Sequence, residues 1–117
     1  FYEWEKRFTQ CVCVASKLKG LQEELSLMSK LDVMLSMDSA NMHLASLVGT
    51  RVVSVWGATH PYCGFMGWAQ KQADIVQNNN LTCRPCSVFG NKPCYRGDFA
   101  CMNTITPNEI IKKLEEE

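Results

Sequence analysis

Leu31–Pro61, LDVMLSMDSANMHLASLVGTRVVSVWGATHP, decides the fold. Two short apolar runs, Val33–Met37 and Arg51–Trp56, flank a helix-sized segment, Ala40–Val48, which Gly49 closes. The pattern predicts strand–helix–strand, and a crossover of this length makes the two strands parallel. Asp38 and Ser39 stand where the first strand ends and the helix begins. Both are good N-cap residues, and Ser39 is expected to cover one free amide of the first turn. The remaining N–H groups, with the positive end of the helix dipole, then face whatever lies beyond the strand ends, an arrangement suited to phosphate. In an open parallel sheet ligands bind outside the carboxyl ends of the strands. The second strand leaves at that same edge through Trp56-Gly57-Ala58-Thr59-His60-Pro61.

N-terminal to this unit, Leu21–Lys30 reads as an amphipathic helix with Leu21, Leu25, Met28 and Leu31 on one face and Glu23, Glu24 and Lys30 on the other. That stripe is core packing. Cys11–Ala15, CVCVA, has the pattern of a short buried strand, and Phe1–Gln10 that of a helix end. On the C-terminal side, Tyr62–Gln70 is glycine-broken and aromatic, a loop or lid. Ala73–Gln77 is expected to be a short last strand, Asn78–Asn80 a turn, and Leu81–Cys101 irregular. Thr106-Pro107-Asn108-Glu109 opens a final helix with a capping box and proline in the first turn, and Ile110, Ile111 and Leu114 supply its apolar face. Alternating strands and helices give an α/β class.

A chain of 117 residues allows one domain with a modest core. Twelve basic and twelve acidic side chains leave no basic excess for nucleic acid. The longest apolar runs are far short of a membrane span. No signal-peptide pattern opens the chain. The seven cysteines, an odd number without such a signal, favour reduced thiols or a metal site over a disulfide framework.

The candidate binding residues follow from the geometry expected at the strand ends. The amides of Ser39, Ala40 and Asn41 would meet a phosphate, and a small side chain at Ala40 lets it approach. Asp38 either orients the loop or hydrogen-bonds a ligand, or it only caps the helix. His43 in the first helical turn, taken by position alone, is a core or capping histidine. Gly57, Ala58 and Thr59 offer further contacts. Cys83, Cys86, Cys94 and Cys101 form C-x2-C-x7-C-x6-C, a spacing that predicts either a structural zinc site or reduced thiols. Cys11 and Cys13 are expected in the core, and Cys63 in a loop.

Asp38-Ser39-Ala40-Asn41-Met42-His43-Leu44-Ala45, then Gly49-Thr50-Arg51-Val52-Val53, then Trp56-Gly57-Ala58-Thr59-His60-Pro61 resembles the signature of the ADP-heptose:lipopolysaccharide heptosyltransferases, glycosyltransferase family 9. The resemblance continues to Cys83-Arg84-Pro85-Cys86 and Cys101-Met102, and covers nearly the whole chain but only the C-terminal part of a family member. It implies a Rossmann-like parallel sheet with flanking helices, part of the C-terminal, donor-binding lobe of a two-lobed GT-B glycosyltransferase. The implied reaction is inverting transfer of a heptose-like sugar from an ADP-sugar to a lipopolysaccharide core acceptor. Asp38, Ser39, Ala40, Asn41, His43, Gly57 and Thr59 would bind the donor. The catalytic base would be a carboxylate of the other lobe, so this chain would hold no catalytic residue and be inactive alone. No metal is implied for transfer, and the full enzyme would work in the cytoplasm, peripheral to the inner membrane. The chain departs from the family pattern at Ala40, usually glycine, and at His60, more often aspartate. With the start of the lobe lacking, the sheet is expected to re-pair its strands, expose an edge or dimerise through one. Two other readings are a zinc-stabilised α/β interaction module and another nucleotide-binding α/β domain.

Overall fold

The computed structural model describes residues 1–116. In chain order the elements are α1 (Tyr2–Arg7), α2 (Leu21–Met28), β1 (Val33–Met37), α3 (Ala40–Leu47), β2 (Arg51–Trp56), β3 (Ile75–Gln77), α4 (Ala100–Asn103) and α5 (Pro107–Glu115), with short 3₁₀ turns at Pro61–Cys63 and Gln72–Asp74. The strands form one parallel sheet in the order β1-β2-β3. Val33 pairs with Arg51 through to Met37 with Val55, and Ser54 with Ile75 through to Trp56 with Gln77. The central β1–α3–β2 unit therefore forms as the sequence predicts, and the class is α/β.

The middle strand is buried on both faces, which explains its unbroken VVSVW run. Val52 and Trp56 point to one side and pack with Met28, Met42 and Ala45 from α2 and α3. Val53 and Val55 point to the other and pack with Val76, Ile105 and the α5 residues Ile110 and Leu114. Trp56 is fully buried, and its indole N–H donates to Ser54 Oγ at 2.9 Å, which satisfies both polar groups inside the core. Thr50 Oγ1 donates to Met28 O at 2.6 Å and ties the end of α2 to the entry of β2. In α5 the predicted capping box is present, with Thr106 Oγ1 accepting from Glu109 N–H and Glu109 accepting from Thr106 N–H. That interaction holds the Glu109 carboxyl below its ordinary pKa.

The structure corrects four expectations. Cys11–Ala15 forms no strand. A strand needs a neighbour for its backbone groups, and here Cys13 N–H turns to Glu5 Oε1 of α1 at 3.1 Å instead. Only Cys13 of this segment is buried, so Cys11 is not a core residue. In α2 the apolar stripe seats Met28 and Leu25 but leaves Leu21 55% exposed and Leu31 39% exposed. Ser39 is the N-cap of α3 by backbone position, yet its hydroxyl caps no amide; it pairs with Ser36 Oγ at 3.1 Å.

β1 lies at one edge of the sheet, with Leu35 and Met37 exposed. Among the described residues no helix is long and apolar enough to cross a membrane.

Candidate functional site

A cleft of about 300 Å³ opens at the carboxyl end of the sheet. Its walls come from the end of β1 (Met37, Asp38), the exit of β2 (Val55, Gly57, Ala58, Thr59), the cysteine-rich segment (Phe89, Gly90) and α4 (Met102). Parallel pairing makes this convergence unavoidable, since β1 and β2 end side by side and the connection out of each must turn there.

Four of the predicted residues, Asp38, Gly57, Ala58 and Thr59, line this cleft. Ser39, Ala40 and Asn41 follow Asp38 directly and are exposed at the start of α3. Because the Ser39 hydroxyl is engaged by Ser36, no side chain covers the first amides of the helix. They are left to water or an anion, and the helix dipole favours the anion. His43 is half-buried one turn in and does not line the cleft. His60 acts as a cap: its Nδ1 accepts from Tyr62 N–H at 3.2 Å and starts the 3₁₀ turn. Burial, with help from the Arg84 charge, keeps the His60 imidazole below its ordinary pKa.

Gly57 lets α4 approach the β2 exit closely. A Cβ there would run into the Met102 thioether. Asp98 accepts from Ala100 N–H at 3.1 Å at the start of α4, the helix that carries Met102. Gly90 has φ +63°, and a Cβ there would lie 3.0 Å from Thr59 Cγ2. Sequence reading missed Phe89, Gly90 and Met102, which sit in a stretch with no period to follow. Arg84, which the sequence offers as a local positive charge of the cysteine-rich segment, reaches the β2 exit with its guanidinium (below).

Cys83, Cys86, Cys94 and Cys101 do share one neighbourhood. Burial raises the Cys86 thiol pKa first of all, and the nearby sulfurs of Cys101, Cys83 and Cys94 push it further up. Yet among the described residues no three Cys, His, Asp or Glu side chains are gathered so as to hold a metal ion. None of the seven cysteines forms a disulfide in the structure. Cys94 differs from Cys86. Hydrogen bonding from the Phe99 backbone, with smaller help from Gly97 and Arg96, holds its pKa below the ordinary thiol value. A lower pKa means more thiolate at a given pH. Iodoacetamide at neutral pH is expected to modify Cys94 before Cys86, with the Cys94 pH–rate curve displaced to lower pH. Peptide mapping of a time course checks this, and a faster Cys86 would contradict the assigned environments.

A second cleft, of about 270 Å³, lies at the opposite end of the sheet between Thr50–Val52 and Trp68–Lys71. It is better enclosed, and of its three charged groups Arg51 and Asp74 are paired with each other while Lys71 forms no ion pair among the described residues. It also stands at the amino ends of the strands. The carboxyl-edge cleft, whose lining residue Asp38 leads directly into the uncapped amides of α3, is the better ligand site.

A Rossmann-like parallel sheet that delivers a helix N-terminus and a glycine-bearing turn to one edge places the chain among the α/β folds built to receive ligands at their strand ends. The chain belongs to glycosyltransferase family 9 (heptosyltransferase), whose model matches residues 3–93. It is similar to lipooligosaccharide heptosyltransferase 2 of Campylobacter jejuni subsp. jejuni serotype O:6, with 23% identity over 105 residues, 90% of this chain and 31% of the relative. The corresponding protein of serotype O:2 is 24% identical over 102 residues, 87% of this chain and 30% of the relative. The chain thus spans less than a third of the length of these curated relatives. No solved structure matches it significantly.

Proposed function

We propose that this chain is the nucleotide-sugar-binding part of a glycosyltransferase that moves a heptose-like sugar from an ADP-sugar to a lipopolysaccharide core acceptor, with inversion. The observation that carries the reading is the juxtaposition at the carboxyl edge. The uncapped amides of α3 follow Asp38, and Asp38 shares one cleft with Gly57 and Thr59. Family membership supports a sugar-donor diphosphate as that anion. In this reading the diphosphate lies against Ser39, Ala40 and Asn41, and the helix dipole stabilises the charge that develops on it as the sugar leaves, an electrostatic contribution set in place before the reaction. His43, one turn into the helix, is assigned a supporting part. The base that deprotonates the acceptor comes from a carboxylate of the other lobe, so the chain alone binds donor and transfers nothing. The reading asks for no metal in transfer and leaves the four cysteines as reduced thiols; stoichiometric zinc in the purified chain would reverse that last assignment. It places the full enzyme in the cytoplasm at the inner membrane surface.

An amide NMR titration with ADP, UDP and GDP tests the reading. Shifts centred on Ser39–His43 and Gly57–Thr59, strongest with ADP, are expected. A well-dispersed spectrum that no nucleotide perturbs would sink donor binding by this chain. The same reading makes the open β1 edge, with Leu35 and Met37 uncovered, the seam for the remainder of the lobe. Alone, the chain is expected to self-associate there, and sedimentation as a strict monomer at high concentration would count against it.

A further inference from the structure

Arg84 comes from the cysteine-rich segment, yet its guanidinium serves the ends of β2 and β3. Nε donates to Gly57 O at 2.5 Å, Nη1 to Asn78 O at 2.7 Å, and Nη2 to Thr59 O at 2.9 Å and Gln77 Oε1 at 3.0 Å. Two residues on, Cys86 N–H donates to the carbonyl between, Ala58 O, at 3.1 Å. The short stretch Arg84–Cys86 thus takes up the carbonyls of Gly57, Ala58 and Thr59 together. A trans peptide holds its N–H opposite its C=O. Drawing these carbonyls towards one segment therefore turns the N–H groups of Ala58, Thr59 and His60 away from it. Among the described residues the Thr59 and His60 N–H groups have no backbone partner. Successive free amides turned to one side are an anion-binding concavity.

The charge balance adds a second strand. None of the ion pairs among the described residues includes Arg84. Its acceptors are neutral carbonyls and an amide oxygen, so the positive charge stays uncompensated behind the β2 exit, a few ångströms from the loop that lines the cleft. The group is partly buried, and its charge is less screened there than on the surface. A lysine could not fully replace it, since one ammonium nitrogen with three donors does not span the four acceptors that the guanidinium reaches from three nitrogens.

We propose that Arg84 is a positioning residue for the anionic part of the donor: it fixes the Gly57–Thr59 turn with its amides free and supplies the positive charge behind them. This rests on the donor-site reading above and adds to it the group that builds the second wall. Arg84 touches the turn and acts on the ligand through it.

The test uses the 117-residue chain with Arg84→Met and Arg84→Lys, titrated with ADP, inorganic pyrophosphate and adenosine, alongside amide hydrogen exchange. In the unmodified chain the Cys86 amide is expected to be protected through Ala58 O. Arg84→Met is expected to weaken ADP and pyrophosphate about tenfold or more, the scale of losing hydrogen bonds from a charged group, and to leave adenosine unaffected. Cys86 protection falls with it, while Val53 in the centre of the sheet stays protected and shows that the fold stands. Arg84→Lys keeps the charge and is expected to recover part of the pyrophosphate affinity without recovering Cys86 protection. If the unmodified chain binds ADP and Arg84→Met binds it equally well, the Arg84 proposal is overturned and the donor site survives. If the unmodified chain binds neither ADP nor pyrophosphate, both fall. Should Arg84→Met lose Val53 protection as well, Arg84→Lys decides: affinity and Cys86 protection both unchanged would overturn the proposal.

Discussion

Replacing Arg51 by alanine is expected to destabilise the chain by about 3 kcal/mol, the lower part of the range for breaking a buried ion pair. Arg51 opens β2, and its guanidinium holds Asp74 Oδ1 through Nε at 3.0 Å and Nη2 at 2.5 Å. It also donates to Lys113 O at 2.8 Å and to Glu116 O, so it caps the C-terminal end of α5. One side chain therefore joins the entry of β2, the turn before β3 and the end of α5. Asp74 is only 5% exposed. Removing the cation strands a carboxylate with little water, and that penalty, more than the loss of attraction, sets the size of the effect. Arg51 keeps some contact with solvent, which places the cost at the low end. Hydrogen bonding to Asp74 raises the Arg51 pKa above its ordinary value. A raised pKa gives stability that is complete below the ordinary guanidinium value and is lost only as pH rises through the folded one. The deficit of Arg51→Ala is therefore expected to be constant across neutral pH. Urea unfolding checks both points. The double variant Arg51→Ala/Asp74→Ala is expected to recover part of the loss, because it no longer leaves an unpaired charge. A single variant within about 0.5 kcal/mol of the unmodified chain, the range of ordinary surface changes, would mean that Asp74 is satisfied some other way.

What the sequence revealed and what it hid divide along a physical line. The β1–α3–β2 unit was legible because its pattern is local: Val33–Met37 and Arg51–Trp56 have strand composition, and Gly49, with φ +82°, stands where the helix must stop. The capping box of α5 was legible for the same reason, since Thr106 and Glu109 lie within one turn. Cys11–Ala15 misled because a strand pattern says nothing about whether a partner strand is present. Ser39 misled because a serine hydroxyl has several acceptors within reach, and Ser36, three residues back on β1, won the competition. The family match, residues 3–93, begins and ends earlier than the stretch that carries the sequence resemblance. The Arg84 contacts were out of reach, since they join residues 25 and 27 positions apart through a segment with no period. Half of the candidate site thus comes from regular elements that sequence can place. The other half comes from irregular chain held by individual hydrogen bonds.

Ala40→Asp is expected to abolish nucleotide binding while leaving the fold as stable as before or slightly more so. Ala40 is the first residue of α3 and is exposed, so a larger side chain meets no packing. A carboxylate in the first helical turn interacts well with the dipole and is worth about 0.3–1 kcal/mol. It can also bond the amides that Ser39 leaves uncapped. The same charge stands where the donor diphosphate is placed. Coulomb repulsion between unit charges about 5 Å apart at an effective dielectric of about 20 is about 3 kcal/mol, so ADP affinity is expected to fall at least about a hundredfold. The two readouts move in opposite directions for one cause, which separates a lost site from a lost fold. Thermal unfolding gives the first and the amide titration the second. Ala40→Gln is the control for size, expected to keep most of the affinity because it adds no charge. If Ala40→Asp bound ADP as tightly as the unmodified chain, the phosphate could not lie on the N-terminus of α3. The wall formed by Gly57–Thr59 would then have to hold the anion by itself, with Arg84 behind it.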